Sequence, residues 1–138
     1  MSMNMQRSFK LLVMTPEKEL YNGEATHLIV SSPEGDMGIM ADHMPIISVI
    51  SESVLRVEID GTWKNAAIGQ GFLDITTDVV ELFVDFAEWS WDIDLERSQR
   101  ALYRSQERLQ GGLSHTEYLR SHGAMARATA RINAAKMK

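Results

Sequence analysis

At Asp92-Ile93-Asp94 the hydrophobic pattern changes period, which divides the chain into a strand-forming body and a helical arm. Ahead of that point apolar residues alternate with others. Phe9, Leu11 and Val13 take turns with Lys10, Leu12 and Met14 until Thr15-Pro16 interrupts, and Asn22-Gly23 closes a second short run. Leu28-Ile29-Val30 is stopped by Ser31-Ser32-Pro33-Glu34-Gly35-Asp36. Leu55, Val57 and Ile59 alternate with Arg56, Glu58 and Asp60, the pattern of a strand with one buried face. Asp60-Gly61 follows directly, a strong signal for a two-residue hairpin turn. Val80, Leu82, Val84 and Phe86 then alternate with Glu81, Phe83 and Asp85. Short strands with frequent turns and no helical period predict an antiparallel sandwich or flattened barrel.

After Asp92 the period becomes helical. On a wheel of 100° per residue, Arg97, Arg100, Arg104 and Arg108 fall within about 80° of one another. Leu95, Leu102 and Leu109 form an apolar stripe on the other side. Either Asp92 or Asp94 can cap the start, and Gly111-Gly112 supplies the stop. Ser114 and Glu117 make a capping box for a second helix, with Leu113 and Tyr118 at the hydrophobic-staple positions. Arg120, Arg127, Arg131 and Lys138 again share one narrow face, opposite Tyr118, Met125 and Ile132, with Thr129 among the latter. The many alanines favour helix and permit close approach, whereas Gly123 costs about 1 kcal/mol relative to alanine. The expected architecture is β followed by α: an antiparallel β-sandwich over residues 1–91, then a two-helix antiparallel hairpin over 92–138.

Charge follows the same division. The net charge is −5, yet residues 92–138 carry nine Lys/Arg against five acids, leaving −9 for residues 1–91. A basic arm on an acidic body points to an anionic partner. The bland alternative is a solvated helix face with pairs such as Glu96 and Arg100 at i,i+4. Confinement of the excess to one face of both helices argues for the partner. Nucleic acid is not expected, because aromatic residues are not interleaved with the arginines and the β body is acidic. A phosphate-rich small ligand or an acidic protein loop fits better.

Several function classes are excluded or disfavoured. With no cysteine, the chain has no disulfide, thiol nucleophile or Cys-ligated zinc. No uncharged apolar run approaches the roughly 20 residues of a membrane span, so no membrane insertion of its own is expected. Met1 to Arg7 leads directly into a strand-like segment, without the apolar core of a signal peptide. The common phosphate-loop, dinucleotide, zinc-protease and serine-hydrolase motifs are missing. Gly69-Gln70-Gly71 precedes the strand-like Phe72-Leu73-Asp74-Ile75 and reads as a turn or bulge. His115 and His122 lack a third ligand nearby, and His43 reads as a turn residue. Neither a catalytic residue nor a metal site is expected.

Taken in order, several segments resemble one family over nearly the whole chain: the epsilon subunit of bacterial F-type ATP synthases. They are Val13-Met14-Thr15-Pro16-Glu17, Tyr21-Asn22-Gly23-Glu24, Glu34-Gly35-Asp36-Met37-Gly38-Ile39-Met40 with His43 and Pro45, Gly71-Phe72-Leu73-Asp74-Ile75, and Ile93-Asp94-Leu95-Glu96-Arg97. The resemblance implies a ten-stranded sandwich that clasps the gamma subunit and the c-ring, on the cytoplasmic face of the bacterial plasma membrane. It also implies a non-catalytic, regulatory role for the hairpin. Folded on the sandwich, the hairpin permits turnover; extended toward the alpha/beta catalytic hexamer, it blocks ATP hydrolysis. Arg100, Arg108 and Arg120 of the basic stripe would then meet an acidic loop of the beta subunit.

In some members of that family the compact form binds ATP as a regulatory ligand, with no cofactor required. The matching positions are Glu88, Ile93, Asp94, Arg97, Arg104, Arg127 and Arg131, acid and backbone groups holding adenine and arginines holding phosphates. Two departures stand out. Ser98 replaces an alanine and bears on the purine contact. Trp89-Ser90-Trp91 places bulky aromatics in the linker, where they are expected to pin the hairpin to the sandwich. The residues alone leave a rival open: a stand-alone nucleotide-sensing or nucleic-acid-binding module using the basic helices.

Overall fold

The computed structural model describes residues 7–137. The reading of Met1 to Gln6 as leading into a strand, and the place of Lys138 on the basic stripe, lie outside the described residues. Ten strands run in order: β1 (Phe9–Met14), β2 (Glu19–Ala25), β3 (His27–Ser32), β4 (Gly35–Ile39), β5 (Ile46–Ile50), β6 (Ser53–Ile59), β7 (Thr62–Ile68), β8 (Gly71–Ile75), β9 (Val79–Val84) and β10 (Ala87–Trp89). A single 3-10 turn (Ser90–Asp92) leads to α1 (Leu95–Leu109) and α2 (His115–Lys136).

The strands form two five-stranded sheets, one ordered β2-β1-β9-β8-β5, the other β10-β7-β6-β3-β4. The alternation read from the sequence decides what each strand buries. Phe9, Leu11 and Val13 of β1, Leu55 and Val57 of β6, and Val80, Leu82 and Val84 of β9 all enter one core between the sheets. Burying a side chain of this size stabilises the fold by about 1.5–3 kcal/mol. One pair departs from the antiparallel expectation: β1 runs parallel to β9, placing Leu11 beside Val80. These strands are far apart in sequence, so no hairpin dictates their direction.

Local chemistry places the turns. Asp60 and Gly61 take positive φ, +52° and +78°, between β6 and β7, as a twist-matched two-residue hairpin requires. Thr15 Oγ1 accepts the Lys18 amide at 3.1 Å and turns the chain between β1 and β2. Gly71 opens β8 where a Cβ would collide with the Phe83 carbonyl oxygen of β9. The Gly69-Gln70-Gly71 segment is therefore a tight crossing between sheets, and His43 lies in the turn between β4 and β5.

Both helices start on their predicted caps. Asp94, one of the two candidates, accepts the Arg97 amide at 3.1 Å. Ser114 and Glu117 form the full capping box. Between the helices the contact differs from the wheel reading. The buried residues of α1 are Ser98 and Ser105, while Leu95, Leu102 and Leu109 are half-buried at the flank. On α2 Ser121 and Ala128 are buried, as is Ile132 of the expected stripe, while Met125 is half-buried and Tyr118 stays exposed, its ring stacked with that of His122. Small residues let the two helix backbones approach closely. Ser98 and Ser105 each donate to the carbonyl one turn back at 3.0 Å, so their hydroxyls enter the interface satisfied.

The second half of α2 lies across β6 and β7 on the outer face of their sheet. Ala130, Ala134 and Ala135 meet Ala67 there, with Ile93 from the linker. The tryptophans act differently from expectation. Trp89 packs on the sandwich core and meets Tyr21 edge-on at 6.4 Å, and Trp91 stacks on Trp89 at 4.8 Å with 53% of its surface exposed. Lys64 Nζ lies 5.8 Å from the Trp91 ring centre. This ladder pins the linker to the sandwich and leaves the helices to other contacts.

Candidate functional site

Where the linker, α1 and α2 converge they enclose a cavity of about 360 Å³, lined by Glu88, Asp92, Asp94, Arg97, Ser98, Ala101, Arg104, Ala128 and Arg131. Each lining group has a local reason for its place. Glu88 is held by pairing of β10 with β7, opposite Ala67. Asp94 is fixed by its capping role. Arg97, Ala101 and Arg104 follow at helical spacing and point the same way. Arg131 comes from α2, and its Nε donates to Glu88 Oε1 at 2.9 Å. Its guanidinium carbon sits 4.3 Å from the Phe86 ring centre, so charge and aromatic face are both engaged.

The structure therefore brings together Glu88, Asp94, Arg97, Arg104 and Arg131. Two named residues stand apart. Ile93 is buried with the alanines of α2 in the second apolar cluster and does not line the cavity. Arg127 does not line the cavity; its Nη1 lies 3.3 Å from where a Cβ on Gly123 would sit. Ser98 does reach the cavity wall, and Asp92, Ala101 and Ala128 are lining residues that sequence reasoning missed. Their signal was available in part, since Asp92 flanks the cap and Ala101 sits one turn from Arg97.

Charge inside the cavity is mixed but unevenly committed. Arg131 is taken by Glu88, and Asp94 by the helix N-terminus. Among the described residues no ion pair engages Arg97 or Arg104. Two uncommitted guanidinium groups beside carboxylates can hold a ligand that is anionic at one end and carries hydrogen-bond donors at the other. Arg100, Arg108 and Arg120 lie outside the cavity on exposed helix surface. Arg100 pairs with Glu96 one turn away at 3.9 Å, the exposed i,i+4 contact anticipated from the spacing.

A second surface was not read from the sequence. On the outer face of the other sheet, Ile47 (73% exposed) and Val49 (62% exposed) of edge strand β5 stand beside Phe72 of β8, which stacks on Phe83 of β9 at 5.1 Å. Met44 just before β5 is also exposed. The clue was present: Phe83 occupies an outward position in an alternation whose inward residues are Leu82 and Val84. Contiguous exposed apolar residues of this kind mark interaction sites. Among the described residues no helix is long and apolar enough to cross a membrane, and no cluster of three or more His, Cys, Asp or Glu could hold a metal ion.

Comparisons with known proteins identify the family to which both parts of the chain are similar. Residues 8–90 match the family model for the beta-sandwich domain of the ATP synthase delta/epsilon chain, and residues 92–136 match its long alpha-helix domain. The ATP synthase epsilon chain of Ruminiclostridium cellulolyticum is 42% identical over 92% of this chain and 95% of its own length. That of Caldanaerobacter subterraneus is 36% identical over 95% and 96%. A chain of the Euglena gracilis mitochondrial ATP synthase superposes with a TM-score of 0.82 at 20% identity, covering 96% of this chain and 84% of that one. One from the central stalk and c-ring of the Tetrahymena thermophila enzyme gives 0.64 at 13% identity, covering 94% and 98%. At such identities the two solved structures bear on the fold.

Proposed function

Because the chain belongs to the ATP synthase delta/epsilon chain family, we propose that it is a non-catalytic central-stalk subunit whose helical hairpin senses ATP and regulates ATP hydrolysis. The sandwich docks on the gamma subunit and the c-ring at the cytoplasmic face of the membrane. The apolar strip of Ile47, Val49 and Phe72 supports that docking, since an exposed face of this kind gains by being covered. Nucleic acid is not a partner in this reading. Family membership favours this reading over a stand-alone nucleotide- or nucleic-acid-binding module.

The observation that carries the regulatory reading is the cavity itself. It exists only while α1, α2 and the linker are packed together, because each supplies part of its wall. A ligand that binds there therefore favours the compact hairpin by its differential affinity. ATP meets the chemistry. Its phosphates find Arg97 and Arg104, with Arg131 able to exchange Glu88 for a phosphate oxygen, and its adenine finds acids and linker backbone near Ile93 and Asp94. When ATP is scarce, the hairpin leaves the sandwich, and Arg100, Arg108 and Arg120 reach an acidic loop of the alpha/beta hexamer. Such a switch needs two packings within a few kcal/mol of each other.

Calorimetric titration of the chain with ATP tests the site. Binding is expected, weakened at least tenfold by Arg97→Ala and by Arg104→Ala, as loss of a charge-assisted hydrogen bond worth about 1.5–3 kcal/mol requires. Full affinity in both variants would reject the cavity as the ATP site. For the docking face, Ile47→Glu with Val49→Lys is expected to abolish co-assembly with the gamma subunit while leaving the thermal midpoint of the free chain unchanged. Retained assembly would place the contact elsewhere.

A further inference from the structure

A second device lies at the far end of α2. There Asn65 of β7 donates its side-chain Nδ2 to the Met137 carbonyl at 2.9 Å, across 72 residues of sequence. Asn65 is 8% exposed. It projects from the outer face of its sheet directly opposite Arg56 of β6. Elsewhere under α2, Ala130, Ala134 and Ala135 meet Ala67 and Ile93, with Val54, Phe86 and Leu95 packed around them. Alanine on alanine brings backbones close but supplies few interlocking side chains, so it does little to fix how far the helix sits along the sheet. Directional groups at the two ends sharpen that position: Arg131 with Glu88 at one end and Asn65 with Met137 at the other.

The same asparagine is only half used. Its Oδ1 is buried without a hydrogen-bond partner, and so is Arg56 Nε beside it. Buried polar atoms are nearly always satisfied in folded proteins, and each exception calls for an explanation. Both orphans lie on the sheet surface that α2 approaches, where lifting the helix would let water reach them. The docked state thus gains one bond from Asn65 and forgoes two others. We propose that Asn65 is a positioning latch, seating the C-terminal turn of α2 on the sandwich through Met137. Its own unpaired Oδ1 and the unpaired Nε of neighbouring Arg56 keep that seat readily released.

The release half rests on the reading that the hairpin leaves the sandwich; the seating half does not. Hydrogen exchange on the full chain separates them. Asn65→Asp keeps the shape, removes the donor and sets a negative charge at a helix C-terminus, while Arg56 opposite offers the new carboxylate a partner within the sheet. Amides from Arg127 to Met137 are expected to exchange roughly tenfold faster, from one lost hydrogen bond and an unfavourable helix-end charge. Sandwich amides should be unchanged, and Asn65→Gln, which keeps the donor, should recover part of the protection. Arg56→Met, removing one orphan, should slow exchange over the same segment severalfold. Acceleration confined to the last two amides, or equal effects of Asp and Gln, would overturn the latch. If the wild-type α2 amides exchanged only together with the sandwich, the mobile hairpin would fall while the Asp and Gln comparison still judged the seat.

Discussion

Arg131 of α2 and Glu88 of β10 meet Nε to Oε1 at 2.9 Å, and their side chains keep 33% and 31% of their surface. This ion pair ties the second helix directly to the sandwich. Partial burial places it above the typical exposed pair, which contributes about 0–1 kcal/mol, and below a fully desolvated one. The Phe86 ring against the same guanidinium adds a contact that a lysine would make less well. A double-mutant cycle of Glu88→Gln and Arg131→Gln, read by urea unfolding, should give a coupling of about 1 kcal/mol. Coupling within error of zero would mean that the pair adds nothing to the seating supplied by the apolar cluster and the Asn65–Met137 bond.

The serines between the helices give a second expectation. Ser105 is 2% exposed and its hydroxyl only bonds back to Ala101 within α1. Ser105→Ala should therefore change stability by no more than about 0.5 kcal/mol. Ser105→Leu inserts a side chain where two helices nearly touch and should cost about 1–3 kcal/mol. Thermal melting followed by helical circular dichroism distinguishes the two. A tolerated leucine would show that the interface has room the structure does not show.

The cap of α2 sets a pH dependence. Hydrogen bonding from Ser114 holds the Glu117 carboxyl below its ordinary value of 4.5. A carboxylate depressed in the folded state contributes stability above its unfolded pKa and loses it as pH falls through the folded one. The first turn of α2 should therefore be intact at neutral pH and fray on acidification below about 4.5, while Glu117→Gln removes this dependence. Amide exchange of residues 115–119 between pH 3 and 6 is the measurement. An identical profile in wild type and variant would refute it.

Where a local signal is unambiguous, the fold was legible. Asp60-Gly61 could do little but turn, since consecutive positive φ suits few other pairs, and Ser114 with Glu117 marks a helix start by its own hydrogen bonds. The helix interface was not legible because a hydrophobic wheel weighs leucine over serine, whereas close packing favours whichever side chain is small. The same wheel put Arg127 and Arg131 on one stripe. Only Arg131 enters the cavity, because Glu88 of β10 stands over that turn and not over its neighbour. The outward direction of Phe83 was readable from its alternation with Leu82 and Val84, but its meeting with Phe72 and Val49 depends on strand pairing that the sequence alone does not show.

The indole stack has a mechanical consequence. Trp89 and Trp91, braced by Tyr21 and Lys64, fasten the linker to the sheet edge, and buried Ile93 fastens it to the second apolar cluster. The nearest joint is then the backbone between Ile93 and Asp94, since Asp94 itself is tied to α1 as its cap. About that pivot α1 is a rigid arm of roughly 22 Å at 1.5 Å per residue, and a turn of 10° carries its tip roughly 4 Å. A few degrees at the root would thus be geared up into the width of a side chain at the end, with the torque borne by two stacked rings.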